Sequence, residues 1–226
     1  MAVHRVSAQR QAAPPAGDGA SMNDFGLAVM LVLAYLIGAT PTSYIVGKLG
    51  KGIDLREHGS NNLGATNVYR VLGWKYAIPV GVIDMVKGAV PVAILGPWSN
   101  GPAWFTVGLG LAAVLGHMFS PYVRFRGGKG VATAAGMFLA LAPLAIVISL
   151  AIWAVTLWLS GYVSVASLTV AVLFPVWVGL AVRAQPYTVW ASVVLALLII
   201  YSHRHNIARL RQGTENRFRT RKGVAA

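Results

Sequence analysis

Three short polar segments interrupt an otherwise apolar chain, and each is built from residue types that hold anions. The first is Gly59-Ser60-Asn61-Asn62-Leu63-Gly64-Ala65-Thr66-Asn67-Val68-Tyr69-Arg70. It shows neither a helix stripe nor a strand alternation, and it carries more hydroxyls and amides than a plain connection needs. Ser60, Asn62, Thr66 and Asn67 offer donors, and the Arg70 guanidinium is a planar fork suited to phosphate. The plainer account of these residues is a helix cap at Ser60 or Thr66 beside a solvated Arg70. The second segment, Gly116-His117 through Thr133, contains Gly127-Gly128-Lys129-Gly130 just ahead of an apolar helix. Glycines let backbone N–H groups converge on an anion, a helix N-terminus adds partial positive charge, and Lys129 adds a full one. The nucleotide-binding pattern G-x-x-x-x-G-K-[ST] fails, because Gly130 follows Lys129. The third segment, His203 to Arg217, continues the last apolar stretch. Its plainer account is a basic interfacial tail. On a continuing helix, however, His203 and Asn206 share one face.

Two further spots carry polar chemistry inside apolar surroundings. Asp84 and Lys87 lie three residues apart within one apolar stretch, spaced to pair on a helix, where they serve either structure or substrate contact. Ser164 and Ser167 begin another stretch; serines there commonly bond their own helix carbonyls. The chain has no cysteine, which excludes disulfides, thiolate metal sites and cysteine acyl-enzymes.

The elements that must position these groups are membrane helices. Of 226 residues 56% are hydrophobic and 11% charged, against about 25% charged in a typical globular domain. Candidate spans follow one another at Phe25–Gly47, Tyr76–Leu95, Ala103–Pro121, Tyr162–Val182 and Tyr187–Tyr201. Most of the basic residues behind the net charge of +13 fall in three segments, Lys48 to Lys75, Arg124 to Lys129 and Arg204 to Lys222, which the positive-inside rule assigns to the cytoplasm, with the N-terminus outside; Arg5 and Arg10 weakly oppose this. Nucleic acid is therefore not the expected partner. If the first two basic segments share a side, as do the second and third, an even number of spans separates each pair. The stretch Val131–Leu159 must then cross twice. Ala142-Pro143 breaks it near its middle, giving a short fourth helix Val131–Leu141 and a fifth Pro143–Leu159. A helix this short needs shielding by its neighbours or an end in a polar cavity. The expectation is an all-α integral membrane protein of seven transmembrane helices with a cytoplasmic C-terminus. Residues 1–22 read as a disordered tail, 23–217 as one seven-helix domain, and 218–226 as a basic tail.

Taken together, the three segments resemble the bacterial acyl-phosphate-dependent glycerol-3-phosphate acyltransferases, the PlsY family. The resemblance rests on Gly59-Ser60-x-Asn62-x-Gly64-Ala65-Thr66-Asn67 with Arg70; on Gly116-His117 through Phe125-x-Gly127-Gly128-Lys129-Gly130-Val131-Ala132-Thr133; and on His203-Arg204-x-Asn206-Ile207 with Arg209-Leu210 and Gly213-x-Glu215. These blocks cover about a quarter of the chain. Two departures are Asn61, where glycine is usual, and the long N-terminal tail. The resemblance implies a bacterial cytoplasmic membrane enzyme, multi-pass, with its site facing the cytoplasm. It implies catalytic roles for Ser60, Lys129, His203 and Asn206. It implies substrate binding by Arg70, Asn62, Asn67, Gly127, Gly128, Gly130, Ser164, Ser167 and Glu215. The partners it implies are acyl phosphate, glycerol 3-phosphate and the lipid bilayer, with no metal or nucleotide, and the chain is expected to act as a monomer.

Acyl phosphate is a mixed anhydride with a good leaving group, so direct attack by the substrate hydroxyl suffices once both are positioned. No His-x-x-x-x-Asp occurs, which excludes the histidine–carboxylate chemistry of the other glycerol-phosphate acyltransferases. A substrate phosphate is expected to take the proton while His203 orients it; the rival is His203 as general base. A membrane transporter for phosphate esters is the main alternative, although no internal repeat is visible and the polar groups crowd one face. The aspartates Asp18, Asp24, Asp54 and Asp84 do not cluster, unlike those of metal-dependent lipid phosphotransferases.

Overall fold

The computed structural model describes residues 22–181 and 186–218. Most of both expected tails lies outside these residues. So do residues 182–185, which include the end of the expected sixth span.

The described residues form helices and turns and contain no strand. Helix α1 (Asp24–Ala39) opens with the Asn23 side chain accepting from the Gly26 N–H at 2.9 Å. Pro41 lacks an N–H, so the helix ends before it and α2 (Thr42–Lys51) starts after it. The expected first span is thus two helices, and carbonyls at the break take side-chain donors. Ser120 donates to Ala39, and the Lys87 ammonium donates to Thr40 at 2.9 Å. A short helix α3 (Ala65–Leu72) follows, against the expectation of a segment without a helical stripe: Ala65, Val68, Val71 and Leu72 form one and pack against Leu55 and Val80. The extended backbone of Gly64 starts it, and Val68 and Asn67 are its buried side.

Helix α4 (Trp74–Val90) continues through a π-helical turn at Pro91–Leu95 into a single turn α5 (Gly96–Trp98). Then come α6 (Ala103–Met118) and a 3-10 turn at Pro121–Val123. Ala142-Pro143 breaks the next stretch as expected, into α7 (Val131–Leu141) and α8 (Pro143–Ser160). Helices α9 (Val163–Ala181) and α10 (Pro186–Ser202) complete the apolar set, and α11 (Arg204–Arg211) is polar. Five spans, Asp24–Lys51, Trp74–Trp98, Ala103–Val123, Pro143–Ser160 and Val163–Leu180, are long and apolar enough to cross a bilayer. The pair α10–α11 makes a sixth if counted as one, but it bends by 53°. The continuous helix expected through His203 is therefore broken at that residue.

Small residues let these helices approach closely. A Cβ at Gly38 would collide with the Ala113 carbonyl, and one at Gly116 with the Tyr35 carbonyl, which locks α1 to α6. A Cβ at Gly88 would collide with the Thr133 carbonyl, and one at Gly136 with the Met85 carbonyl. The short α7 is thereby gripped along α4, and its Met137 and Phe138 are fully buried. Its neighbours supply the shielding that an 11-residue apolar helix requires.

Candidate active site

A cavity of about 380 Å³ lies among α4, α7, α8, α9 and α10, with α3 and the C-terminal residues at one end. Its two ends differ in chemistry. One is lined by Ser60, Asn62, Arg70, Lys129, His203, Asn206 and Glu215. The other is lined by Phe138, Ile146, Leu150, Trp153, Phe174 and Leu195. Phe138 and Phe174 meet edge to face there, with ring centroids 4.6 Å apart.

The polar end is a connected network. The Lys129 ammonium donates to Asn206 Oδ1. Asn206 Nδ2 donates to Glu215 Oε1 at 2.6 Å, and Ser164 Oγ donates to the same oxygen at 2.8 Å. Arg209 Nε donates to Glu215 Oε2 at 2.7 Å. Burial pushes the Glu215 carboxyl up, but the bonds from Asn206, Arg209 and Ser164 outweigh it and hold its pKa below the usual value. Burial lowers Lys129 to about 8, a shift that the Glu215 charge partly opposes. Burial also lowers Arg70, whose Nε has no partner and whose terminal nitrogen donates to the Asn216 carbonyl at 3.4 Å. Glu215 neutralises Arg209, and among the described residues that line the cavity Arg70 and Lys129 are the cations without a carboxylate in salt-bridge contact.

His203 sits at the bend past the end of α10. Its Nδ1 is 2.8 Å from the Ile199 carbonyl. A carbonyl only accepts, so Nδ1 carries the hydrogen and Nε2 is left as the acceptor. Burial, then the nearby Lys129 charge, holds this ring's pKa well below the usual histidine range. The ring is neutral at pH 7 and a weak base.

The Ser60 loop is shaped by its own side chains. Gly59 (φ 67°) and Asn61 (φ 57°) flank Ser60 in the left-handed region. Asparagine tolerates that region better than most residues, which accounts for its standing where glycine is usual. Asn67 Oδ1 accepts from the Ser60 N–H at 2.7 Å, and its Nδ2 donates to the Leu55 and His58 carbonyls at 3.0 and 2.9 Å. Its polar atoms therefore hold the loop, although the residue borders the cavity. Ser43 Oγ donates to the Leu63 carbonyl at 3.0 Å and ties the loop to α2.

Gly127 and Gly128 depart from the expectation. Their N–H groups do not converge on an anion but donate to the Met118 and His117 carbonyls, each at 3.1 Å. A Cβ on Gly127 would collide with the His117 carbonyl, and one on Gly128 with the His117 ring. These residues are glycine because the turn lies flat against the end of α6, and neither lines the main cavity. Gly130 does line it, together with Val131 and Ala132 of the first turn of α7, a helix start with no side-chain cap. The other expected residues, Ser60, Asn62, Asn67, Arg70, Lys129, Ser164, Ser167, His203, Asn206 and Glu215, all reach this one cavity from distant stretches of chain. Ser167 accepts from Trp153 Nε1 at 3.2 Å, farther from the charged groups. Trp153, Phe138 and Phe174 carry no signal in the sequence, because on an all-apolar helix no periodicity separates a cavity face from a lipid face.

An all-helical membrane fold around a cavity charged at one end and apolar at the other defines an enzyme or carrier of amphiphilic anions. Comparison with known proteins narrows this. The family model for glycerol-3-phosphate acyltransferase matches residues 28–213. A glycerol-3-phosphate acyltransferase of Fusobacterium nucleatum is 44% identical over 189 residues, covering 84% of this chain and 96% of the relative. One of Geotalea daltonii is 44% identical over 191 residues, with 84% and 97% covered. The crystal structure of PlsY, an integral membrane glycerol 3-phosphate acyltransferase in its glycerol 3-phosphate form, superposes with a TM-score of 0.81 at 38% identity over 86% of this chain and 96% of that one. Its lysophosphatidic acid form gives 0.75 at 38% identity, covering 85% and 95%. The chain belongs to the glycerol-3-phosphate acyltransferase family; it is an integral membrane acyltransferase of phospholipid synthesis.

Proposed function

We propose that the chain transfers a fatty acyl group from acyl phosphate to the 1-hydroxyl of glycerol 3-phosphate, releasing 1-acyl-glycerol 3-phosphate and inorganic phosphate. The observation that carries this reading is the single cavity with two cations and a helix start at one end and aromatic and aliphatic side chains at the other. That division matches a donor with a phosphate head and an acyl tail.

The hydroxyl oxygen attacks the acyl carbonyl carbon, the bond from that carbon to the phosphate oxygen breaks, and the hydroxyl proton passes to a phosphate oxygen. Arg70 and Lys129 hold the phosphates and stabilise the charge gathering on the leaving group. The first-turn N–H groups of α7 add to this hold. Asn206, fixed by Glu215, aims the Lys129 ammonium. Ser60 and Asn62 donate to a phosphate or to the carbonyl. His203 Nε2 accepts from the attacking hydroxyl and orients it; its lowered pKa makes it a poorer proton acceptor than the phosphate. Ser164 and Ser167 line the route from head to tail.

In the bilayer, α7 and α8 count as two crossings, giving seven spans over residues 23–217, with 1–22 outside and 218–226 cytoplasmic. The break at Ala142-Pro143 and the clustering of basic segments support this count. The site then faces the cytoplasm of a bacterial plasma membrane, and the chain works as a monomer.

Purified protein given labelled glycerol 3-phosphate with acyl phosphate, acyl-CoA or acyl carrier protein in turn tests the donor. Product with acyl phosphate alone is expected, and product only with a thioester overturns the assignment. Flux of phosphate esters into liposomes without product formation would favour a transporter.

A further inference from the structure

We infer that Asp84, Lys87 and His117 are positioning residues for this site, an intramembrane unit that sets the places of Lys129 and of the Ser60 loop. The inference rests on the reading that those two groups hold the reacting phosphates.

Asp84 and Lys87 lie on α4 and are almost wholly buried. Their charged atoms are 2.7 Å apart. A buried ion pair adds little stability over an apolar pair of similar size, which often holds a fold equally well. What this pair touches gives it a task. Lys87 Nζ also donates to the Thr40 carbonyl, in the break that Pro41 makes between α1 and α2. Just beyond that break, Ser43 Oγ holds the Leu63 carbonyl, three residues from Ser60. One arm of the unit thus runs from Lys87 through the start of α2 to the Ser60 loop.

The other arm runs through His117. Its Nδ1 lies 3.8 Å from the Asp84 carboxylate, on the side of the ring away from the glycine turn. The far nitrogen packs so tightly on Gly128 that no Cβ fits between them, and the His117 carbonyl takes the Gly128 N–H at 3.1 Å. Lys129 is the next residue. Any shift of the ring therefore displaces the backbone that aims the ammonium at Asn206. Asp84 and His117 also border the cavity wall, but a carboxylate is a poor neighbour for a phosphate. The unit acts through what it holds.

The test compares wild type with Asp84→Asn, the doubly neutral Asp84→Asn/Lys87→Met, and Ser43→Ala, each purified in the same detergent. Thermal unfolding and kcat and KM for both substrates are measured, with Lys129→Ala and Ser60→Ala alongside. The doubly neutral variant has no unpaired buried charge, so it is expected to unfold near the wild-type temperature. Its kcat/KM should nevertheless fall by about 10²-fold, the scale of an ångström-sized misplacement, with KM for glycerol 3-phosphate raised. Wild-type kinetics in that variant would overturn the inference. So would losses in both substrates that merely follow the folded fraction. If the pair variants do not fold, Ser43→Ala decides: a severalfold rise in KM for glycerol 3-phosphate at unchanged stability supports the first arm, and unchanged KM sinks it. Ordinary turnover in Lys129→Ala and Ser60→Ala would overturn the reading of the site itself, whatever the pair variants do.

Discussion

Glu215→Gln tests the polar network at its hub. The carboxylate takes hydrogen bonds from Asn206, Ser164 and Arg209 at 2.6, 2.8 and 2.7 Å. Bonds to a charged group contribute about 1.5–3 kcal/mol each, against about 0.5–1.5 for neutral ones. Glutamine keeps the shape, but its amide nitrogen must face either Arg209 or the Asn206 and Ser164 donors, so at least one bond is lost and the rest weaken. The sum is about 2–4 kcal/mol, which corresponds to roughly 30- to 10³-fold in kcat/KM if all of it is felt at the transition state. Arg209 is partly exposed and water replaces some of its bond, so a loss near the lower end, about 30-fold, is expected. A second readout has a definite sign. Lys129 holds anions only when protonated, so kcat/KM falls as pH rises through its pKa of about 8. The Glu215 charge raises that pKa, and removing it lowers the value, so the alkaline limb of the profile moves to lower pH. The assay is phosphate release from acyl phosphate in the presence of glycerol 3-phosphate, run from pH 6 to about 9.5 around the pKa of Lys129. Turnover within twofold of wild type together with an unmoved alkaline limb would show that Glu215 does not organise the site.

The same lysine predicts that inorganic phosphate binds the free wild-type protein more weakly above pH 8 by calorimetry. The protonated fraction of a group with a pKa of about 8 drops from about nine-tenths at pH 7 to about a tenth at pH 9. Phe174→Leu opens the apolar end beside Phe138 and should shift donor preference toward longer chains. Each further buried methylene is worth about 0.8 kcal/mol, or roughly fourfold in kcat/KM, measured with a series of acyl phosphates. The chain contains no cysteine, so single cysteines placed at the exposed positions Glu57, Arg126 and His205 report topology directly. All three should label from the cytoplasmic side, and one at Asn100 from the other side.

Much of the architecture was legible because proline and charge speak plainly in a membrane chain. Pro143 marks the boundary between α7 and α8, and the parity of basic segments calls for a break in that stretch. Other features were hidden for physical reasons. The helix α3 has a stripe of Ala65, Val68, Val71 and Leu72, but at eight residues, set behind a run of glycine, serine and asparagine, it is too short to stand out from a loop. The bend at His203 leaves no mark in residue type, since the chain around it is helical on both sides. The glycines at 127 and 128 were recognisable as necessary, but glycine serves close packing as readily as anion binding, and only the direction of their N–H groups tells the two apart. Asn67 poses the same ambiguity: its amide could face a substrate or a loop, and it holds the loop. The apolar end of the cavity had no signature at all, because lipid and a fatty acyl pocket select the same side chains.

The proposed reaction requires one cavity to receive the phosphate head and the acyl tail of the donor at opposite ends. A crystal structure of the protein with a non-hydrolysable acyl phosphonate measures this directly. The phosphonate is expected against Lys129, Arg70 and the start of α7, with the chain running past Trp153 to Phe138 and Phe174. A phosphonate bound away from Lys129 and Arg70, or a chain lying outside the helices while the cavity stays closed to it, would contradict the proposal.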